Sequence, residues 1–380
     1  MIFKATPPAY SSVNSNLVYV VYDAHSTDPT TYPNYKYVAE LWIGGSLILT
    51  TRKFPDPTNN FGVFDFGINV REYLLVSLAI GNNGIRPQEM GPGVFSIDVV
   101  IKIREEYNGT IGAVVLTDSD RVFFNHYNGR YNDFTLLSSF LNKPASTRPQ
   151  TIDDMRLDNA YYFIPYFSTT TTPFNVVVVC GTNTYTKSIT PSTTNTLQLL
   201  NISPLAINND AGSAIVNGDY TVNINGIAYV VSIQYDVINQ NYPLHFLNKF
   251  GGFETFNFLK ASKRSYSNTK KEWQMLPYQV DSSGSVTLKT GNIMNRQNGT
   301  LAVDFNEKLK VNTDNLTDSE FEWLAQLVNS PLVYLEDAGT LYPVILDGNS
   351  YDVNKHSIDN LTSLSIDIKF GETYKTQFTS

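Results

Sequence analysis

The sequence predicts an all-β protein, a multi-domain chain of β-sandwiches with one short bracing helix near residues 317–330. Three observations predict it. Short alternating apolar runs are interrupted by dipeptides suited to tight turns: Gly44-Gly45, Asn108-Gly109, Asn128-Gly129, Asn217-Gly218, Asn225-Gly226, Asn298-Gly299 and Asp347-Gly348. Type I′ hairpin turns need positive φ at both central residues, and Gly, Asn and Asp tolerate it best. Aromatic residues make up 13% of the chain, with 24 Tyr and 22 Phe, which suits pleated sheet surfaces. Only one segment, at Thr317, carries both a helix-start signal and helical apolar spacing.

The elements follow in order. Leu17 to Tyr22 reads as a strand, and Tyr37 to Leu49 as a hairpin about Gly44-Gly45. Pro55, Pro57, Asn59 and Asn60 mark a loop, Phe61 to Phe66 a short strand, and Val70 to Leu78 either a helical turn or a strand. Phe95, Ile97 and Val99 alternate through Ile103, and Asn108-Gly109 turns the chain back to Val114–Leu116. Residues 141–155, with Pro144 and Pro149, read as a linker.

A second β-unit opens at Ala160 to Phe167. Val176 to Ile189 reads as a hairpin about Gly181-Thr182-Asn183, and Val222 and Ile224 are expected to pair with Tyr229 and Ile227 across Asn225-Gly226. The alternation continues through Val231, Ile233, Tyr235 and Val237. In Thr317-Asp318-Ser319-Glu320 the Thr hydroxyl takes the amide three residues on, and the Glu carboxylate reaches back. Leu316 and Phe321 stand where a hydrophobic staple belongs, Phe321, Leu324, Leu327 and Val328 share a helical face, and Pro331 ends the helix. Strands return at Leu332–Leu335, Tyr342–Leu346 and the strictly alternating Leu364 to Phe370.

At 380 residues the chain is too long for one ordinary β-domain. The expected division is an N-terminal β-sandwich at 1–145, a middle β-domain at 146–243, and a C-terminal β-domain with the helix at 244–380. Charged residues are only 16%, as in proteins covered by neighbours, and the net charge of −8 opposes nucleic-acid binding. The lone Cys180 excludes an internal disulfide framework and, in a run of valines, reads as a buried thiol. The N-terminus lacks a signal-peptide pattern, and no stretch approaches the about 18 apolar residues of a membrane span, so a soluble protein folding in a reducing cytoplasm is expected.

The search for chemistry returns little. His25, His126, His245 and His356 form no metal-ligand spacing. His25 has only Asp28 near it and reads as a polar loop residue, whereas His245 reads as a satisfied strand histidine. Glu105-Glu106 and Asp153-Asp154 are adjacent, and neighbours on a strand point to opposite faces, so neither pair makes a glycosidase dyad. Asp118-Ser119-Asp120 is a minimal loop-calcium candidate, too short for an EF-hand. No cofactor fingerprint appears. Lys260, Lys263, Arg264, Lys270 and Lys271 form a basic cluster that reads as a solvated hairpin or as an arm meeting an acidic neighbour. Tyr161, Tyr162 and Tyr166 are core strand residues, or else an aromatic face that stacks on sugars.

Three segments resemble a known group: Leu244 to Phe258 with its Gly251-Gly252 pair, Trp323 to Glu336 followed by Tyr342-Pro343-Val344-Ile345, and Asn60 to Phe66. They are similar to tail-tip and baseplate structural proteins of tailed bacteriophages. The resemblance implies a non-enzymatic virion protein, assembled in the host bacterial cytoplasm as a homo-oligomeric ring or collar. It also implies contacts with itself and with other tail proteins. The C-terminal unit is then expected to serve ring assembly and the N-terminal sandwich decoration or docking. Two rivals stand beside this: a receptor- or carbohydrate-binding virion protein meeting host surface glycan, and a polysaccharide-degrading enzyme.

Overall fold

Tight turns of positive φ shape the chain, as the dipeptides predict. Gly44-Gly45, Asn108-Gly109 and Asn225-Gly226 each place both central residues at φ between 49° and 83°. A computed structural model of the 380-residue chain describes residues 1–73, 84–85, 87–90, 95–125, 151–191, 194, 196–235, 240–260, 262–274, 278–288, 298–313, 316–347, 353–355, 362–370 and 374–377. Among the described residues strands predominate and the α-helices are three short ones, so the all-β, multi-sandwich fold is as expected.

The first sandwich uses β1 (Ile2–Ala5), β2 (Tyr10–Ser12), β3 (Val18–Tyr22), β4 (Lys36–Ile43), β5 (Ser46–Lys53), β6 (Phe61–Asp65), α1 (Gly67–Arg71), β7 (Pro87–Met90), β8 (Ser96–Tyr107) and β9 (Thr110–Phe123). Its two sheets run β1-β3-β6 and β2-β9-β8-β4-β5, while β7 joins a sheet farther along the chain. Alternate residues face inward: Tyr19, Val21 and Phe64 from one sheet, Tyr37, Ala39, Leu41, Val99, Ile101 and Ile103 from the other.

The second sandwich uses β10 (Thr151–Met155), β11 (Phe163–Ser168), β12 (Phe174–Cys180), β13 (Asn183–Ile189), β14 (Thr196–Asn201), α2 (Pro204–Ala211), β15 (Tyr220–Ile224) and β16 (Ile227–Ile233). Its sheets run β10-β16-β15-β12-β13 and β11-β14-β7. Ile164, Tyr166, Leu200 and Ile202 pack against Val176, Val178, Val222, Tyr229 and Val231. All six residues of β11 and of β14 are buried, because the outer face of that sheet is covered too. Phe167 meets Tyr10 and Phe123 of the first sandwich at ring distances of 5.2 and 5.5 Å, and the Phe163 amide donates to Thr255 Oγ1.

Four expectations are corrected. The linker expected at 141–155 ends in strand β10, paired in parallel with β16; residues 141–150 lie outside the described residues. Asn217-Gly218 is a bend, and Asn298-Gly299 lies inside a strand, so neither closes a hairpin. Asp118-Ser119-Asp120 is strand β9 and not a cation loop: Asp120 turns inward and accepts from Tyr19 Oη. The strand after Asn225-Gly226 ends at Ile233, and Tyr235 is exposed. Asn128-Gly129, His126, Val237, Gly348 and His356 lie outside the described residues.

The rest of the chain holds β17 (Tyr242–Leu247), β18 (Phe253–Phe258), β19 (Lys263–Gln274), β20 (Tyr278–Val280), β21 (Val286–Leu288), β22 (Asn298–Asn312), α3 (Asp318–Val328), β23 (Val333–Asp337), β24 (Thr340–Asp347), β25 (Val353–Lys355), β26 (Thr362–Phe370) and β27 (Tyr374–Gln377). The chain divides into two compact units: residues 1–236, 243–257 and 317–333 form one, and residues 237–242, 258–316 and 334–380 the other. The first unit therefore holds both sandwiches and also β18 and α3, which the sequence division put with the C-terminal domain. In the second unit β22 pairs antiparallel with β26, and Leu309, Val311, Ile366 and Ile368 are buried.

Helix α3 carries the expected capping box: Thr317 Oγ1 accepts from the Glu320 amide, and the Glu320 carboxylate accepts from the Thr317 amide at 2.7 Å. It braces the β17–β18 turn. Trp323 Nε1 donates to Glu254, whose other oxygen accepts from Asn248 Nδ2 at 2.7 Å. Asn248 Oδ1 in turn accepts from the Phe250 and Gly252 amides, and Gln326 Oε1 from the Lys249 amide. Gly251 sits at φ +95°, and a Cβ on Gly252 would lie 2.3 Å from Pro165 Cβ, so this bend needs its two glycines.

Candidate functional site

The five-stranded sheet of the second sandwich turns Val176, Val178, Val222 and Val231 inward, and pleating sends their neighbours outward. Register places Thr184, Val179, Thr221, Val230 and Thr151 in one row across all five strands. Val179 and Val230 are 41% and 47% exposed, large values for valine in a sheet. The next row is Thr186, Val177, Asn223 and Ala228. Neither row holds a charged side chain. The outer face of the first sandwich is different: Arg104 Nε donates to Glu40 at 2.7 Å, and Lys102 Nζ lies 3.8 Å from the Trp42 ring centre.

The basic cluster is not gathered into one patch. Lys260 precedes β19, and Lys263, Arg264, Lys270 and Lys271 lie along it, all exposed. Lys263 pairs with Lys310, while Arg264 pairs with Leu309 on the opposite face. Arg264 is committed to Glu307 at 3.4 Å and lies over the Tyr242 ring. Lys270, opposite Val303, shares the Arg264 face, and Lys271, opposite Ala302, shares that of Lys263.

Tyr161, Tyr162 and Tyr166 are buried, which corrects the reading of them as an exposed stacking face. Tyr162 and Tyr166 belong to the second core, where Tyr166 Oη donates to Gln198, and Tyr161 stacks on Phe163. Tyr166 does form part of the wall of an open cleft of about 350 Å³ with Phe174, Thr170, Thr172 and Asn225.

The adjacent carboxylates diverge, as the pleat requires. Glu106 accepts from Arg52 Nε at 2.7 Å and from Lys36 Nζ at 3.2 Å, and these two cations, Arg52 first, hold its carboxyl below the usual range. Glu105 instead faces His25. Asp154 accepts from the Asn257 amide, whereas Asp153 is exposed. His245 is buried with Nδ1 2.8 Å from Thr255 Oγ1, a satisfied strand histidine.

His25 is not an isolated loop residue. Its Nδ1 lies 3.0 Å from Glu105 Oε2 and 3.6 Å from Asp23 Oδ1. Asp28, its sequence neighbour, accepts instead from the Thr30 and Thr31 amides. No family model matches this sequence, and a search of curated proteins found no match.

Among the described residues, Asp23, His25 and Glu105 are the one group of His, Cys, Asp and Glu side chains close enough together to hold a metal. Sequence spacing missed it because Glu105 is 80 residues from His25 and arrives through the β4–β8 pairing. Among the described residues no helix is long and apolar enough to cross a membrane.

Proposed function

We propose that this chain is a structural virion protein of a tailed phage, assembled as a homo-oligomeric ring or collar in the tail tip or baseplate region. The observation that carries the reading is the uncharged row Thr184–Val179–Thr221–Val230–Thr151 on an open sheet face. Interface cores are depleted of charge, and a row of β-branched residues packs without desolvating an ion. A second copy is the natural occupant in a ring, where a heterologous contact repeats until it closes. The work is mechanical: rigid sandwiches hold geometry, and buried contacts supply binding. No step of it calls for a cofactor or a reacting group.

Mass measurement of the purified protein, beside location of the chain in electron micrographs of the particle, tests this. A strict monomer that is absent from virions removes it. The second reading, binding of a host surface glycan, draws on the cleft beside Phe174 and Thr172. Glycan-array binding competed by free sugar, from a protein that stays monomeric, would favour it.

A further inference from the structure

Asp23 follows β3 and caps the single-turn 3-10 helix Ala24–Thr27, which carries His25. Glu105 stands near the end of β8. One ligand atom from each of the three lies within 4.8 Å of the others. Divalent ions of the zinc type bind imidazole nitrogen and carboxylate oxygen at about 2.0–2.2 Å, which sets neighbouring ligand atoms roughly 3–3.6 Å apart, and His25 Nδ1 lies 3.0 Å from Glu105 Oε2 and 3.6 Å from Asp23 Oδ1. We propose that Asp23, His25 and Glu105 bind one such divalent cation, which clips the segment after β3 to strand β8.

Tyr35 is buried and stands edge-on to Tyr37 at 5.2 Å, and Tyr37 Oη accepts from the Asp23 amide at 3.0 Å, so this aromatic pair underlies the Asp23 end of the group.

The ligands are also held in place before any ion arrives. Asp23 Oδ1 accepts from the His25 amide at 2.9 Å. Tyr32 stacks on the His25 ring at 4.0 Å between centres. The His25 side chain is 41% exposed, which leaves an entry path. An imidazole with two carboxylates suits zinc and its first-row neighbours; calcium prefers an all-oxygen set.

The test uses the full chain, stripped with a chelator and dialysed against Zn²⁺. Wild type is expected to retain one equivalent and to melt at a higher temperature with Zn²⁺ than with chelator. His25→Gln and Glu105→Gln are each expected to weaken binding by at least about tenfold, whereas Tyr35→Phe keeps the three ligands and weakens it less. Wild type that retains no zinc, or variants that bind as wild type does, overturn the proposal and leave an ordinary His–carboxylate ion pair. If a variant fails to fold, paramagnetic Co²⁺ added to wild type gives the answer: strong broadening of the His25 ring resonances supports the site, and unperturbed His25 resonances overturn it.

Discussion

Trp323 of helix α3 donates its indole N–H to the carboxylate of Glu254 on strand β18, and both side chains are buried. Through Glu254 and Asn248 this bond fixes the turn that joins β17 to β18. Trp323→Phe keeps most of the ring but removes a donor from a buried carboxylate. The expected loss is about 2 kcal/mol, read by denaturant unfolding. A variant as stable as wild type would show that the helix braces the turn by packing alone.

Gly252→Ala should be more harmful than its size suggests. The new methyl would meet Pro165 Cβ at 2.3 Å, and Pro165 lies in a strand buried on both sides. Overpacking of this kind costs about 1–3 kcal/mol. Unchanged urea midpoints would mean that β11 shifts freely.

Asp120 gives the protein an acid-side preference. Burial raises its carboxyl from 3.8 to about 6; the Tyr19 hydroxyl pulls it back, and Asp118 adds to the rise. The folded protein therefore holds this proton more tightly than the unfolded chain does. Its contribution is full below pH 3.8 and is lost as pH rises through about 6. Asp120→Asn keeps an acceptor for Tyr19 and should melt above wild type at neutral pH, with the advantage shrinking toward acid. A melting difference that does not vary with pH would contradict this.

Cys180 should be silent to thiol reagents in the native protein. It is buried, with Sγ 3.4 Å from Asn217 Oδ1. Its reaction with a disulfide reagent is expected to be at least about a hundredfold slower than in denaturant, because opening must come first. Rapid native labelling would place the strand in frequent local unfolding.

Val179→Lys with Val230→Lys puts two ammonium groups into the uncharged row. Association of copies is expected to weaken at least about tenfold, seen by light scattering, with little change in melting temperature because both sites are exposed. Undiminished assembly would move the contact to another surface.

Much of the fold was legible because β-turn chemistry is local. Asn108-Gly109 and Asn225-Gly226 form the turns their residue types demand. The β23–β24 turn escaped notice because Ala338, at φ +50°, has no propensity for that conformation, and tertiary pairing imposes it. Helix α2 was missed although Ser203, Pro204 and Gly212 mark its ends, since the eight residues between show weak apolar periodicity. The burial of Tyr162 and Tyr166 follows from two-sided covering of β11, which no single-strand pattern reveals. The Asp23–His25–Glu105 meeting depends on strand register across 80 residues, a non-local fact. The splitting of the basic cluster between two faces follows from the pleat alone and was there to be read.

The first unit is not continuous along the chain: residues 258–316 of the second unit lie between residue 257 and the helix that braces the β17–β18 turn. During synthesis, that turn must wait until residue 333 has left the ribosome tunnel, some seconds after its own strands emerge at about 5–20 residues per second. For that interval buried-face strands such as β18 stand without their helix. Nascent chains stalled before residue 317 should accordingly be the protease-sensitive and chaperone-dependent ones.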